Sequence, residues 1–322
     1  MIRVGVIGGA GYTAGELLRI LLNHPEVNLV FVNSASNAGN AITDVHSGLI
    51  GECDLTFTDQ LPLDEVDALF LCSAHGDSVK FVEQNQIPSS VKIIDLSTDY
   101  RESRPDHDFV YGLPEMNTSK IRMAQHVANP GCFATAIQLA LLPLAAEGLL
   151  KAEIHVNAIT GSTGAGVKPS STSHFSWRND NISVYKAFDH QHLNEIGQTM
   201  CLLQNGFDQD INFIPVRGDF ARGIFASVYT DFEGTLEEAV KLYSSYYKDA
   251  AFTFISAKNP DLKQVINTNK CVLHLEKHGR KLLILSVVDN LLKGASGQAV
   301  HNMNLMFGLD EKTGLKLKPV AF

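Results

Sequence analysis

The chain carries five scattered cysteines, and one of them stands where a thiol becomes reactive. Cys132 follows Asn129-Pro130-Gly131 and opens the apolar, helix-forming run Phe133-Ala134-Thr135-Ala136-Ile137-Gln138-Leu139-Ala140. The Pro-Gly pair makes a turn, which places Cys132 in the first turn of a helix. Free N–H groups and the macrodipole there favour the thiolate, the nucleophilic form of cysteine. Cys53, Cys72, Cys201 and Cys271 have no such setting and read as small apolar core residues. Among twelve histidines, His190 and His192 lie two apart in Asp189-His190-Gln191-His192-Leu193-Asn194-Glu195-Ile196. No third ligand stands at a familiar spacing, and both H-E-x-x-H and C-x-x-C are missing, so no metal is expected. Acid–base work beside the thiol is the better use of these imidazoles.

A second chemical feature lies near the N-terminus. Gly8-Gly9-Ala10-Gly11-Tyr12-Thr13-Ala14-Gly15 follows the apolar run Ile2–Ile7 and opens a helical pattern. Glycines allow the tight turn and the helix start offers N–H groups to a phosphate, so Gly8, Gly11, Tyr12 and Thr13 are candidate nucleotide contacts. The spacing G-x-x-G-x-x-A departs from the usual G-x-G-x-x-G. After the second strand comes Asn33-Ser34-Ala35-Ser36-Asn37-Ala38-Gly39-Asn40, without the acid that holds an NAD ribose. Hydroxyls at Ser34 and Ser36 tolerate a 2′-phosphate, which favours NADP. A further loop, Gly161-Ser162-Thr163-Gly164-Ala165-Gly166-Val167-Lys168-Pro169, fails as an ATP loop because Val167 and Pro169 interrupt the Gly-Lys-Ser/Thr pattern. Its backbone can still approach a cofactor at Gly164.

These residues need two scaffolds. Apolar strands at Ile2–Ile7, Val27–Val32, Ala68–Cys72 and Val91–Leu96 alternate with helical segments, including 77–86, and predict a parallel sheet covered on both faces. Strands at 153–160, 211–216, 223–230, 271–276 and 281–288, broken by a helix at 235–249, predict an α+β domain with a mostly antiparallel sheet. Ser296–Phe307 reads as a helix returning to the first domain. The expected division is 1–130, with a C-terminal segment of about 296–322, for the NADP-binding domain, and 131–295 for the catalytic and oligomerisation domain. A length of 322 residues with 45% hydrophobic side chains supports two cores. With 26 basic against 35 acidic residues the net charge is −9, which argues against nucleic acid and anionic membrane as partners. No uncharged run reaches a membrane span of roughly 18 residues. The start lacks a signal-peptide cleavage pattern, and the cysteines form no framework, so a reduced, cytoplasmic location is expected.

The sequence resembles the N-acetyl-γ-glutamyl-phosphate reductases of arginine biosynthesis. The likeness runs through Val127–Ala136 to Ala140-Leu141-Leu142-Pro143, Gly8–Leu18, Asp95–Arg101, Tyr111–Glu115, Ser162–Gly166, Tyr185–Ile196, Arg222-Gly223-Ile224 and Asp289–Ala299. It implies a Rossmann-type α/β domain joined to a glyceraldehyde-3-phosphate-dehydrogenase-like α+β domain, in a homodimer or homotetramer. It also implies NADPH-dependent reduction of an N-acyl-γ-glutamyl phosphate to the semialdehyde through a thioester. Cys132 is then the nucleophile and His192 or His190 the acid–base group. Ser73, Gly164 and Asn290 join the nucleotide site, and Arg101, Tyr185, Lys168 and Arg217 the substrate or phosphate site. If a helix begins near Asn194, His192 stands one step before it as the base, and His190 binds the substrate carboxylate as a cation. Gln191 and Asn194 replace a usual Arg and Pro, Ala35 stands where an Arg often follows the second strand, and Val216–Phe220 departs from a usual Pro-His-Leu segment. Acetyl is the default acyl group, and a charged one such as succinyl would use Arg217. The rivals are a carrier-linked aminoadipyl reductase, aspartate-semialdehyde dehydrogenase, and a non-catalytic nucleotide sensor of the same fold.

Overall fold

The computed structural model describes residues 1–320. Two compact units emerge, Met1–Pro130 with Ala295–Lys316, and Gly131–Gly294 with the tail from Leu317 as far as it is described. The first unit begins with β1 (Ile2–Ile7), α1 (Tyr12–Leu21), β2 (Val27–Asn33), α2 (Ile42–Val45), β3 (Ala68–Leu71), α3 (Asp77–Gln84) and β4 (Lys92–Asp95). It continues through β5 (Val110–Tyr111), α4 (Pro114–Met123) and β6 (His126–Ala128). The sheet is parallel throughout, in the order β2-β1-β3-β4-β6-β5. β3 is buried at every position, as a strand covered on both faces must be. The chain leaves β1 to one side for β2 and returns on the other for β3. The carboxyl ends of β1 and β3 therefore form a topological switch point, where a Rossmann-type sheet binds its ligand.

The second unit opens with α5 (Cys132–Ala146), β7 (Ile154–Thr160), α6 (Phe175–Arg178), β8 (Ser183–Val184), α7 (His192–Leu203) and β9 (Ile211–Arg217). Then follow β10 (Ile224–Asp231), α8 (Leu236–Tyr246), β11 (Thr253–Ile255), β12 (Cys271–His278) and β13 (Lys281–Val288). Its sheet runs β11-β12-β13-β10-β7-β9-β8. Four pairings are antiparallel and two, β11 with β12 and β7 with β9, are parallel. Alternation along β10 and β12 leaves one face less buried than the other. α5 is buried from Phe133 to Ala145, the mark of a core helix apolar on all sides. Hydroxyls fasten it: Tyr243 donates to the Ala140 carbonyl at 2.5 Å, Tyr247 to Leu139 at 2.6 Å and Ser286 to Ala136 at 2.7 Å.

The chain then returns to the first unit with α9 (Ser296–Met306), every residue of which is buried. Asn302 Nδ2 donates to the Gly112 carbonyl at 2.9 Å and to Asn129 Oδ1 at 3.1 Å. The tail departs from the sequence expectation. From Leu317 it groups with the second unit, where Asn267 Nδ2 donates to the Lys318 carbonyl at 3.0 Å. Positions 321 and 322, which the expected nucleotide domain included, lie outside the described residues. Among the described residues no helix is long and apolar enough to cross a membrane.

Candidate active site

The glycine turn of the first unit leaves an open, uncapped helix start of the kind that suits a nucleotide phosphate. Gly8 has φ +76°, and a Cβ there would come within 2.9 Å of the Cys72 carbonyl carbon and the Ser73 nitrogen. The loops after β1 and β3 thus touch backbone to backbone at the switch point, which puts Ser73 beside the turn. Gly9 is equally constrained, since a Cβ would fall 2.3 Å from Val32 Cγ1. Gly11, by contrast, has nothing within 4 Å of its Cβ direction, and no side chain caps α1. Open approach to uncapped N–H groups suits an anion. Ala14 takes the third small position because it is fully buried. Tyr12 is exposed and Thr13 half-buried beside this opening. Ser34 and Ser36 both accept from Asn37 Nδ2, at 3.0 and 3.1 Å, in a tight turn that leaves Ala35 exposed.

His46 braces this turn from behind. Its Nε2 lies 2.7 Å from the Gly9 carbonyl, and its ring fills the space that a Cβ at Gly15 would need. No sequence signal marks His46, which stands alone in an irregular stretch. Arg101 is buried, with Nε donating to the Asn129 carbonyl at 2.9 Å and Nη2 to Leu96 at 3.0 Å. At least two donors of this expected phosphate ligand therefore hold loops together, because the segment after β4 folds back on the one before α5.

In the second unit, Cys132 is the first residue of α5, with Gly131 as its N-cap. The Gly131 N–H donates to Glu195 Oε2 at 2.9 Å, and Glu195 Oε1 lies 4.0 Å from His192 Nε2. The His192 ring rests on Gly131 itself: a Cβ at 131 would stand 2.4 Å from Nε2. On the other side, a Cβ on Gly294 would stand 2.7 Å from Cys132 Cβ. Asp289 holds that loop by accepting from Leu291 N–H at 2.8 Å and pairing with Arg222 at 3.0 Å. Asn290 accepts from the Gly223 N–H at 2.7 Å and donates to Thr163 Oγ1 at 3.1 Å, steadying the loop that carries Gly164. Its carboxamide thus acts first as a fastening between loops.

The histidines need two corrections. α7 begins at His192, not near Asn194, because the His190 ring accepts the His192 N–H at 3.2 Å and starts the helix earlier. His190 is walled in by Phe133, Phe213 and Tyr185, with ring centroids 5.5, 5.5 and 5.8 Å away. Burial, aided by the Lys186 charge, lowers its pKa to about 4. It is a neutral ring at pH 7 and not the expected cation. Tyr185 is kept protonated by burial and by the neighbouring charge of Cys132. Arg217 stacks on its ring, 4.1 Å from the centroid. The structure thus gathers Cys132, His190, His192, Tyr185 and Arg217, and leaves Lys168 on the exposed stretch 164–171.

Cys201 is another correction: it is exposed on the outer side of α7, whereas Cys271 is buried and Cys53 and Cys72 are half-buried. Glu195 was missed as a site residue, although its place three residues after His192 at a helix start puts both on one face. Among the described residues no group of three His, Cys, Asp or Glu side chains converges as a metal site.

Sheet order, glycine turn and helix-start cysteine define a two-domain, nucleotide-dependent dehydrogenase, and the comparisons agree. A family model described as "Semialdehyde dehydrogenase, NAD binding domain" matches residues 3–124, and one described as "Semialdehyde dehydrogenase, dimerisation domain" matches 132–290. The chain belongs to the semialdehyde dehydrogenase family. Within it, relatives named N-acetyl-gamma-glutamyl-phosphate reductase are 66% identical in Parabacteroides distasonis and 59% in Christiangramia forsetii, each over 100% of both chains. Among solved structures, aspartate semialdehyde dehydrogenase II from Vibrio cholerae superposes with a TM-score of 0.72 at 16% identity, covering 96% of this chain and 98% of that one. The Candida albicans aspartate semialdehyde dehydrogenase, solved with NADP, gives 0.71 at 14% identity, covering 95% and 98%. At such identities the likeness is one of fold.

Two outcomes follow from this geometry. Gly131→Ala must push the His192 ring off the helix start, and should lower kcat by about 100-fold while leaving the circular-dichroism spectrum intact. An active Gly131→Ala enzyme would mean that the ring's seat is immaterial. His190 has a folded pKa below its ordinary value of about 6.5, so its neutral form supports folding. That contribution is complete above pH 6.5 and is lost as pH falls towards about 4. Urea melts of His190→Gln should therefore show a flatter loss of stability across this window than wild type.

Proposed function

We propose that this chain reduces an N-acyl-γ-glutamyl phosphate, N-acetyl by default, to the N-acyl-glutamate 5-semialdehyde and phosphate, using NADPH, within arginine biosynthesis. The observation that carries the reading is the helix start: Cys132 opens α5 directly after a glycine that seats His192 and gives its N–H to Glu195. The full-length relatives named for this reaction support the substrate.

The chemistry follows from these residues. His192 takes the thiol proton, and Glu195 steadies the imidazolium that results. The thiolate attacks the acyl carbon, the C–O bond to phosphorus breaks, and phosphate leaves with the electron pair. The product is a thioester on Cys132. NADPH, when bound by Gly8, Gly11, Tyr12, Thr13 and Ser73, supplies the hydride that reduces a thioester to the aldehyde level. As the tetrahedral oxyanion collapses, the C–S bond breaks and His192 returns its proton to the sulfur. His190, neutral and walled by aromatic rings, accepts the His192 N–H and so fixes where α7 begins.

The absence of any acid between Asn33 and Asn40 supports NADPH over NADH. The second unit, matched as a dimerisation domain, is proposed to pair with a copy of itself. The scattered free cysteines suit a reducing, cytoplasmic setting.

Cys132→Ser should fold, bind NADP and lose nearly all turnover, because a serine hydroxyl does not ionise at this helix start. Near-native rates of NADP-dependent oxidation of N-acetylglutamate semialdehyde with phosphate would sink the thioester route. The NADPH preference should be modest, since Ala35 offers no cation. Ala35→Arg should tighten NADPH by about 1–2 kcal/mol, and wild-type kcat/KM higher with NADH would refute the assignment.

A further inference from the structure

One buried cation of the second unit is used by none of the steps above. Arg178, the last residue of α6, is only 8% exposed. Its Nη2 donates to the Gly218 carbonyl, while Nε and Nη1 are buried without a hydrogen-bond partner. Arg217 is close enough for the two guanidinium charges to repel. Arg217 in turn stacks on Tyr185 and donates Nη1 to Thr172 Oγ1 at 3.0 Å. The acid facing the pair is Asp219, which is exposed and accepts the Asp180 N–H at 2.8 Å. Two cations are therefore held together, one of them buried with two unmet donors. An arrangement of this kind is retained where an anion completes it, and the planar guanidinium fork matches a carboxylate. The pair adjoins the reactive centre, since Tyr185 feels the Cys132 charge and lies 5.8 Å from the His190 ring.

We propose that Arg178, together with Arg217, binds a carboxylate of the substrate whose acyl carbon reacts at Cys132. The inference rests on the reading above. Two substrate carboxylates have this chemistry: the α-carboxylate of the glutamyl moiety, and the terminal carboxylate of a dicarboxylic N-acyl group. Nothing in the sequence pattern marks Arg178, because α6 is a single turn in an irregular stretch.

The test compares wild type, Arg178→Gln, Arg178→Lys and Arg217→Gln in NADP-dependent semialdehyde oxidation with phosphate. The substrates are the N-acetyl semialdehyde, its α-carboxamide analogue and the N-succinyl semialdehyde. Arg178→Gln should raise the semialdehyde KM about 10- to 100-fold, the usual loss of a charge-assisted pair, with kcat within about threefold and the phosphate KM unchanged. Arg178→Lys should recover part of the loss, and Arg217→Gln should move KM in the same direction. An equal loss for both acyl forms, with the carboxamide already poor for wild type, assigns the pair to the α-carboxylate. A loss confined to the succinyl substrate assigns it to the acyl terminus. Unchanged KM in both glutamine variants, or a change in the phosphate KM alone, overturns the proposal. A thermal-shift arm is independent of turnover and of the folding of Arg178→Gln: N-acetylglutamate and N-succinylglutamate should raise the wild-type Tm more than that of Arg217→Gln. Equal shifts count against the carboxylate site. A wild type inactive with every semialdehyde would refute the proposed reaction, whereas an active wild type with indifferent variants would refute this inference alone.

Discussion

The hydrogen in place of a side chain at residue 131 is the constraint on which the reactive centre depends. It lets an imidazole lie against the backbone one residue before Cys132, with a Cβ at 131 only 2.4 Å from His192 Nε2. It also leaves the Gly131 N–H open to the buried Glu195 carboxylate. Gly294 makes the matching approach from the other side of Cys132. The imidazole and the Cys132 Cβ are thus each packed directly against main chain, which narrows the rotamers open to them. Such fixing is what removes the entropy of finding a reactive geometry.

Backbone precision at one residue is useful only if the element carrying it is still. α5 meets this need by lying in the core of its unit, with three hydroxyls anchoring its carbonyls. The loop bearing Gly294 is a buried turn after β13, and there Asp289 adds hydrogen bonds and an ion pair to Arg222. A fully buried carboxylate is tolerable because its oxygens are met by N–H groups and a guanidinium.

Much of this was legible in local patterns. Asn129-Pro130-Gly131-Cys132 before an apolar run signals a turn, a helix start and a thiol together; the structure has the helix start and the thiol, but no turn forms at 129–131 and Gly131 is extended, with its N–H given to Glu195. β5, β6, β8 and β11, of two or three residues each, are too short to show a pattern, whereas the longer strands of both sheets stand out by burial and alternation. Strand direction does not, because alternation is the same in parallel and antiparallel pairs, and β7 with β9 is parallel. His190 was visible as a residue but not as a neutral one. Its protonation is set by Phe133, Phe213 and Tyr185, from three separate segments. His46 and Arg178 lie in stretches without period, so only the fold reveals them, His46 by its contact with the Gly9 carbonyl and Arg178 by its burial.

Three of the residues that local reasoning misjudged break a local rule. Arg178 is a buried cation with unmet donors, His190 a histidine that stays neutral, and Glu195 a carboxylate taken out of water. Each would be unfavourable alone in an ordinary core. They are concentrated around the start of α5 and the end of β9, while the sheets beneath follow burial and alternation closely. A fold gains nothing by placing its electrostatic exceptions together, because each still has to be supported by the packing around it. Their concentration around one thiol is intelligible if charge and proton position there serve a reacting molecule.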